Sequence, residues 1–235
     1  MENANKITPQ GGFQLNCLVG IPAFREEGRI GSVVRDVKKT CEHVLVVDDG
    51  SDDNTADEAK KAGAIIISHP RNMGKGVALN TAFKYARDNG YEVIITMDGD
   101  GQHDPADLIN FIKEYETNKT LVIIGNRMND PRTMPLVRRM TNLFMSWLLS
   151  KRMKQWIPDT QCGYRLYNCK ILNNIKVGSD GFAAESEILL ILAERGIRMG
   201  CVPVKVIYRD EKSKIRPLKD TLRFFSMLHR YDQAK

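Results

Sequence analysis

No run of apolar residues in this 235-residue chain reaches the roughly 18 positions that a membrane-crossing helix requires. The opening stretch Met1-Glu2-Asn3-Ala4-Asn5-Lys6 also lacks the apolar core of a signal peptide. A cytoplasmic chain, free or peripheral at the inner face of the cytoplasmic membrane, is therefore the expectation. Cysteine is sparse. Cys17, Cys41, Cys162, Cys169 and Cys201 are scattered, odd in number and without CxxC spacing, which argues against a disulfide framework or a zinc site and for free thiols in a reducing compartment. Low-complexity tracts, internal repeats and Pro/Gly/Ser linkers are absent, so a single domain over residues 1–235 is expected. There is no aromatic-basic recognition motif and no strongly basic block, which removes the case for a nucleic-acid partner. The formal charge of +6 suits smaller anions instead: nucleotides, phosphates or an acidic lipid surface.

What is present is alternation. Short Val- and Ile-rich runs at 16–21, 43–48, 64–68, 93–97 and 121–125 read as strands. Between them, amphipathic stretches at 29–39, 53–62, 75–89 and 105–116 read as helices, which together predict βαβ units and a mostly parallel sheet. Beyond 130 the spacing predicts an amphipathic stretch over 136–157, a polar segment over 159–167, a helix over 185–195, a strand over 199–208 and a closing amphipathic helix over about 218–231.

In such sheets ligands bind beyond the carboxyl ends of the strands, and three of those ends are unusually polar. The first runs into Pro22-Ala23-Phe24-Arg25-Glu26-Glu27, the second into Asp48-Asp49-Gly50-Ser51-Asp52-Asp53, and the fourth into Asp98-Gly99-Asp100-Gly101-Gln102-His103-Asp104. The plain reading of the second is a turn and a helix cap, although Asp48 lies at the sheet edge where a carboxylate accepts hydrogen bonds from a nucleoside. The fourth is harder to explain as a solvated turn. Its clustered carboxylates repel one another unless a cation lies between them, and Mg2+ or Mn2+ shared with diphosphate oxygens is the usual solution. Asp104, followed by Pro105, reads as a helix cap.

These segments resemble inverting glycosyltransferases of family 2, and in particular the branch that makes dolichyl- or polyprenyl-phosphate sugars. The marks run through the chain in order: Ile21-Pro22-Ala23-Phe24-Arg25-Glu26-Glu27, Val46-Val47-Asp48-Asp49-Gly50-Ser51, Asn72-Met73-Gly74-Lys75-Gly76, Met97-Asp98-Gly99-Asp100-Gly101-Gln102-His103, Gly125-Asn126-Arg127 and Asp159-Thr160-Gln161-Cys162-Gly163-Tyr164-Arg165-Leu166. Val202-Pro203-Val204 and Ser213-Lys214-Ile215 also match the branch. The resemblance implies an α/β GT-A (Rossmann-like) fold, with a nucleotide and metal half at about 14–127 and an acceptor half at about 128–217. It implies a nucleotide-sugar donor, UDP- or GDP-linked, held by Pro22, Ala23, Phe24, Glu26, Asp48, Lys75 and Asp98. Asp100 and Gln102 would hold the metal. Arg127, Arg165, Arg138 or Arg139, and Ser213 with Lys214, would grip donor and acceptor phosphates.

The resemblance further implies an inverting transfer of a hexose to a polyprenyl phosphate. A saccharide acceptor in cell-envelope polysaccharide synthesis is the alternative, and a sugar-nucleotide nucleotidyltransferase is the second. The latter expects a Gly-rich basic loop after the first strand, where this chain has Pro22-Ala23-Phe24. A hydroxyl acceptor needs a general base, for which Asp159 is best placed by motif and Glu185 and Glu187 are weaker options. A phosphate acceptor needs none. Met145, Trp147, Leu148 and Trp156 beside basic residues, and Phe224 with Phe225, mark two segments for a membrane surface, a homodimer contact or core packing.

Overall fold

The computed structural model describes residues 15–130, 134–173, 175, 177–179, 181–207 and 217–233. Ser213 and Lys214 lie outside them. Seven strands form one sheet: β1 (Cys17–Ala23), β2 (His43–Asp48), β3 (Ile65–Ser68), β4 (Val93–Thr96), β5 (Val122–Asn126), β6 (Arg165–Asn168) and β7 (Met199–Pro203), in the order β3-β2-β1-β4-β6-β5-β7. The helices are α1 (Ile30–Val37), α2 (Thr55–Lys61), α3 (Lys75–Asp88), α4 (Leu108–Asn118), α5 (Leu136–Met153), α6 (Phe182–Glu194) and α7 (Pro217–Gln233). The central strands are apolar on both faces because helices cover both. Val44 to Val47 and Val93 to Ile95 are all fully or almost fully buried.

Parallel pairing of β1 with β2 and β4 sets Ala23 opposite Asp48 and Gly20 opposite Thr96, so their polar continuations emerge on one edge of the sheet. That register alone gathers Pro22, Asp48 and Asp98.

The polar segment 159–167 departs from expectation, because its last part is β6. This strand runs antiparallel to both β4 and β5 and separates them. Arg165 and Asn168 hide the apolar alternation that would mark a strand, yet all four residues are buried. The reversal of direction has a functional result. Residues preceding β6 lie beside the carboxyl ends of its antiparallel neighbours β4 and β5, so Asp159 to Tyr164 join the same edge as Asp98.

The remaining differences are smaller. The helix expected from 105 begins as a 3-10 turn, Pro105–Asp107, with Asp104 Oδ1 accepting from the Ala106 N–H as the cap reading requires. Strand β7 ends at Pro203 rather than running on toward 208. The chain then crosses to the loop after β4, where His103 and Val206 form an isolated bridge and Ile207 N–H donates to Gln102 O at 2.9 Å.

Candidate active site

The turn after β2 is organised around Asp49 rather than Asp48. The Asp49 carboxylate accepts from the Met73 and Gly74 N–H groups at 2.9 and 2.7 Å and faces His69 Nδ1 at 2.7 Å. It thereby ties Asn72-Met73-Gly74 to the sheet edge and presents Lys75 at the start of α3. Gly50 has φ +72°, and a Cβ there would fall 2.3 Å from the Arg71 carbonyl carbon, so only glycine lets the two turns cross. Asp48 is buried, with Oδ1 accepting from Ser51 N–H at 3.1 Å. Asp52 pairs with Arg25, and Asp53 takes the Thr55 N–H at the start of α2, the cap role expected of that stretch.

Lys75 reaches across the edge. Its Nζ lies 2.6 Å from Asp98 Oδ1 and 2.7 Å from Glu185 Oε1, joining β4 to the first turn of α6. Burial alone would push the Asp98 carboxyl up, but the Lys75 ammonium and the adjacent His103 outweigh it and hold the group far below the ordinary carboxylate range. Asp100 behaves oppositely. Burial, reinforced by the negative charge of Asp98, raises its pKa, although the Gln102 N–H donates to Oδ1 at 2.9 Å.

The donor set fits a hard divalent cation. Asp100 and Gln102 are half-buried oxygen donors on one tight turn, and the residual repulsion on Asp100 is what such an ion would relieve. Asp98, by contrast, shares the Lys75 ammonium with Glu185.

The two arginines read as phosphate grips and the carboxylate read as a base all engage protein partners in this structure. Arg165 is fully buried. Its Nε donates to Cys162 O at 2.6 Å, Nη1 to Glu185 O at 2.7 Å and Nη2 to Thr160 O at 2.8 Å, so the guanidinium holds backbone instead of facing the edge. Arg127 is 7% exposed and clasps Asp159 through Nε and Nη2 at 2.7 and 2.9 Å, with its own N–H adding a third bond. Asp159 has no exposed surface, and although burial would raise its carboxyl, Arg127 holds it below the usual range. In this arrangement Asp159 is the partner of Arg127 and presents no exposed oxygen to an acceptor. Of the two arginines on α5, Arg139 is exposed and Arg138 half-buried. Phe24 is half-exposed with the Arg25 guanidinium 5.1 Å from its ring centre, while Glu26 is buried and faces Arg29.

The residue that sequence reasoning undervalued is Glu185. A Cβ on Gly163 would lie 2.6 Å from its Oε1 and 3.2 Å from Asp98 Oδ2, so the glycine of Cys162-Gly163-Tyr164 makes room for both carboxylates. Nothing in the spacing of Glu185 announces this contact, since Lys75 is 110 positions away in the chain.

The profile of glycosyl transferase family 2 matches residues 18–176, most of the chain and every element just described up to β6. The chain belongs to glycosyl transferase family 2. Among its relatives in the family, an uncharacterized protein of Methanocaldococcus jannaschii is 36% identical over 82% of each chain. UDP-N-acetylglucosamine--dolichyl-phosphate N-acetylglucosaminyltransferase of Methanococcus voltae is 31% identical over 81% of this chain and 85% of its own length. In three dimensions this family 2 chain superposes with a TM-score of 0.71 on glucosyl-3-phosphoglycerate synthase of Mycobacterium tuberculosis, crystallised with Mn2+, uridine diphosphate and phosphoglyceric acid. That match covers 91% of this chain and 77% of the other at 18% identity. The fold is therefore GT-A.

Proposed function

We propose that this chain is an inverting, metal-dependent glycosyltransferase that moves a hexose from a UDP- or GDP-sugar to a polyprenyl phosphate. The observation that carries the acceptor class is the engagement of the carboxylates read as bases. Asp159 is sealed by Arg127, Glu185 holds Lys75, and Glu187 accepts from the Gly178 and Ser179 N–H groups at 3.1 and 2.7 Å. A hydroxyl acceptor needs a base, and each of these carboxylates already carries a contact of this kind, whereas a phosphate monoester is already ionised near neutral pH and needs none. The named relative in Methanococcus voltae, a dolichyl-phosphate sugar transferase, supports the same class.

In this reading Pro22, Ala23, Phe24 and Asp48 receive the nucleoside and Asp98 stands by its ribose or diphosphate. Asp100 and Gln102 hold Mg2+ or Mn2+, which when bound supplies neutralisation of the charge building on the departing diphosphate. Lys75 and one of Arg138 and Arg139 offer point charge and a planar fork to the phosphates, and Ser213 and Lys214 complete the acceptor side. Incubation with labelled UDP- and GDP-sugars, Mg2+ or Mn2+ and a polyprenyl phosphate is expected to move label into the organic phase. No transfer from any donor would remove the lipid acceptor.

An acceptor of this kind resides in a bilayer, and α5 offers a face for it. Leu136, Val137, Met140, Phe144 and Trp147 fall on one stripe, with Val137 72% and Trp147 50% exposed. Arg139, Lys151, Arg152 and Lys154 lie alongside, and Lys151 Nζ stands 5.7 Å from the centre of the Trp147 ring. Met145 turns inward instead, as does Phe224 on α7, where Leu222 and Phe225 are exposed large apolar residues. No described helix is long and apolar enough to cross a membrane, and the α5 stripe fits the plane of a membrane surface. Phe144→Glu combined with Trp147→Glu is expected to weaken sedimentation with anionic vesicles about tenfold or more, by loss of buried aromatic area. Unchanged sedimentation would dissociate α5 from the bilayer.

A further inference from the structure

The cation reading of Asp100 and Gln102 leaves Glu185 without a role, yet its environment is unusual. Its side chain is 4% exposed, its Oε1 is bonded to Lys75, and its Oε2 is buried with no hydrogen-bond partner among the described residues. A buried carboxylate with one oxygen unsatisfied is costly. The surroundings nevertheless enforce it. Arg165 donates to the Glu185 carbonyl and fixes the first turn of α6, while Gly163 leaves the space that the carboxylate fills beside Asp98.

The charges explain the arrangement. Asp98 and Glu185 share the Lys75 ammonium and Asp100 follows two residues on along the same turn, so three carboxylates stand against one permanent cation, an excess of two, with His103 Nε2 3.8 Å from Asp98 Oδ2. Without Glu185, Lys75 would belong to Asp98 alone and the excess would fall to one. We infer that Glu185 is a positioning residue that acts through Lys75: by drawing part of the ammonium's charge away from Asp98, it sets the electrostatic attraction of the Asp98-Gly99-Asp100 turn for a divalent cation without ligating it. The segment around Gly163 and Arg165, which carries much of the resemblance to polyprenyl-phosphate transferases, thereby serves the cation site from behind.

This inference rests on the metal reading of Asp100, and the test separates the two. Mn2+ is titrated into the full chain without donor, and free Mn2+ is read by electron paramagnetic resonance. Glu185→Gln, which keeps shape and removes charge, is expected to weaken Mn2+ binding about tenfold, because one unit charge at close range in a partly buried site is worth at least that much. Glu185→Asp, which keeps the charge, is expected to stay within about threefold of the wild type on the same grounds. Asp100→Ala reports on the site itself. If Asp100→Ala abolishes Mn2+ binding while Glu185→Gln leaves it unchanged, the role of Glu185 is overturned and the metal site stands. Equal losses in Glu185→Gln and Glu185→Asp would also overturn it, since shape and not charge would then decide. If Asp100→Ala binds Mn2+ like the wild type, the metal reading fails and the inference falls with it.

Discussion

Asp100→Ala is expected to lower turnover on the order of a thousandfold, the loss of several kcal/mol of charge stabilisation on the leaving diphosphate. Donor binding should at the same time lose its dependence on Mg2+ or Mn2+. The reasoning is geometric. Asp98 is already paired with Lys75 at 2.6 Å, so Asp100 is the carboxylate of this turn with the greater unrelieved charge, which is why burial and Asp98 raise its pKa. Its Oδ1 accepts a bond from Gln102 N–H at 2.9 Å, which orients it without neutralising it. Initial rates at saturating donor, together with equilibrium donor binding with and without the ion, provide the measurement. Full activity in the variant would refute the assignment of Asp100 to the metal.

The second large effect is on stability. Asp159→Asn should cost about 3–5 kcal/mol, because it leaves the Arg127 guanidinium buried against a neutral amide that cannot accept both of its bonds. For a chain of this size that corresponds to a fall in Tm of on the order of 10 °C. Thermal unfolding followed by circular dichroism reads it directly. The pH dependence has a definite sign. The Asp159 carboxyl is held below its ordinary value in the folded state, so its contribution is complete above the unfolded carboxylate range, near pH 4, and disappears as pH falls through the lower folded value. The difference in Tm between the wild type and Asp159→Asn should therefore shrink in acid. A variant that unfolds like the wild type at pH 7 would show that the pair contributes nothing net. That outcome would reopen Asp159 as a base.

Together these two carboxylates show how similar motif residues come to differ. Asp100 follows β4 and Asp159 precedes β6, and both lie in polar motif segments at the same edge of the sheet. Asp100 faces another carboxylate and keeps charge to spare. Asp159 faces a guanidinium and has none. The distinction depends on which strand lies next to which, and the antiparallel insertion of β6 between β4 and β5 decides that.

The family, the parallel half of the sheet and the carboxyl-edge location of the nucleotide-side motifs were legible in the chain itself. They follow from local physics: Val-rich runs such as Val44-Leu45-Val46-Val47 need burial on both faces, and the polar residues that end them have nowhere to go but the edge. What the tertiary structure decided was every role that depends on partners distant in sequence. β6 was hidden because Arg165 and Asn168 are polar residues buried through bonds to backbone and to Tyr115, a satisfaction no local pattern records. Arg165 and Asp159 are likewise placed by partners that no local pattern records, backbone carbonyls for the one and Arg127 for the other. Glu185, a weaker candidate base by motif, became the partner of Lys75, because a charge is placed by what surrounds it in space, and a sequence states only what precedes and follows it.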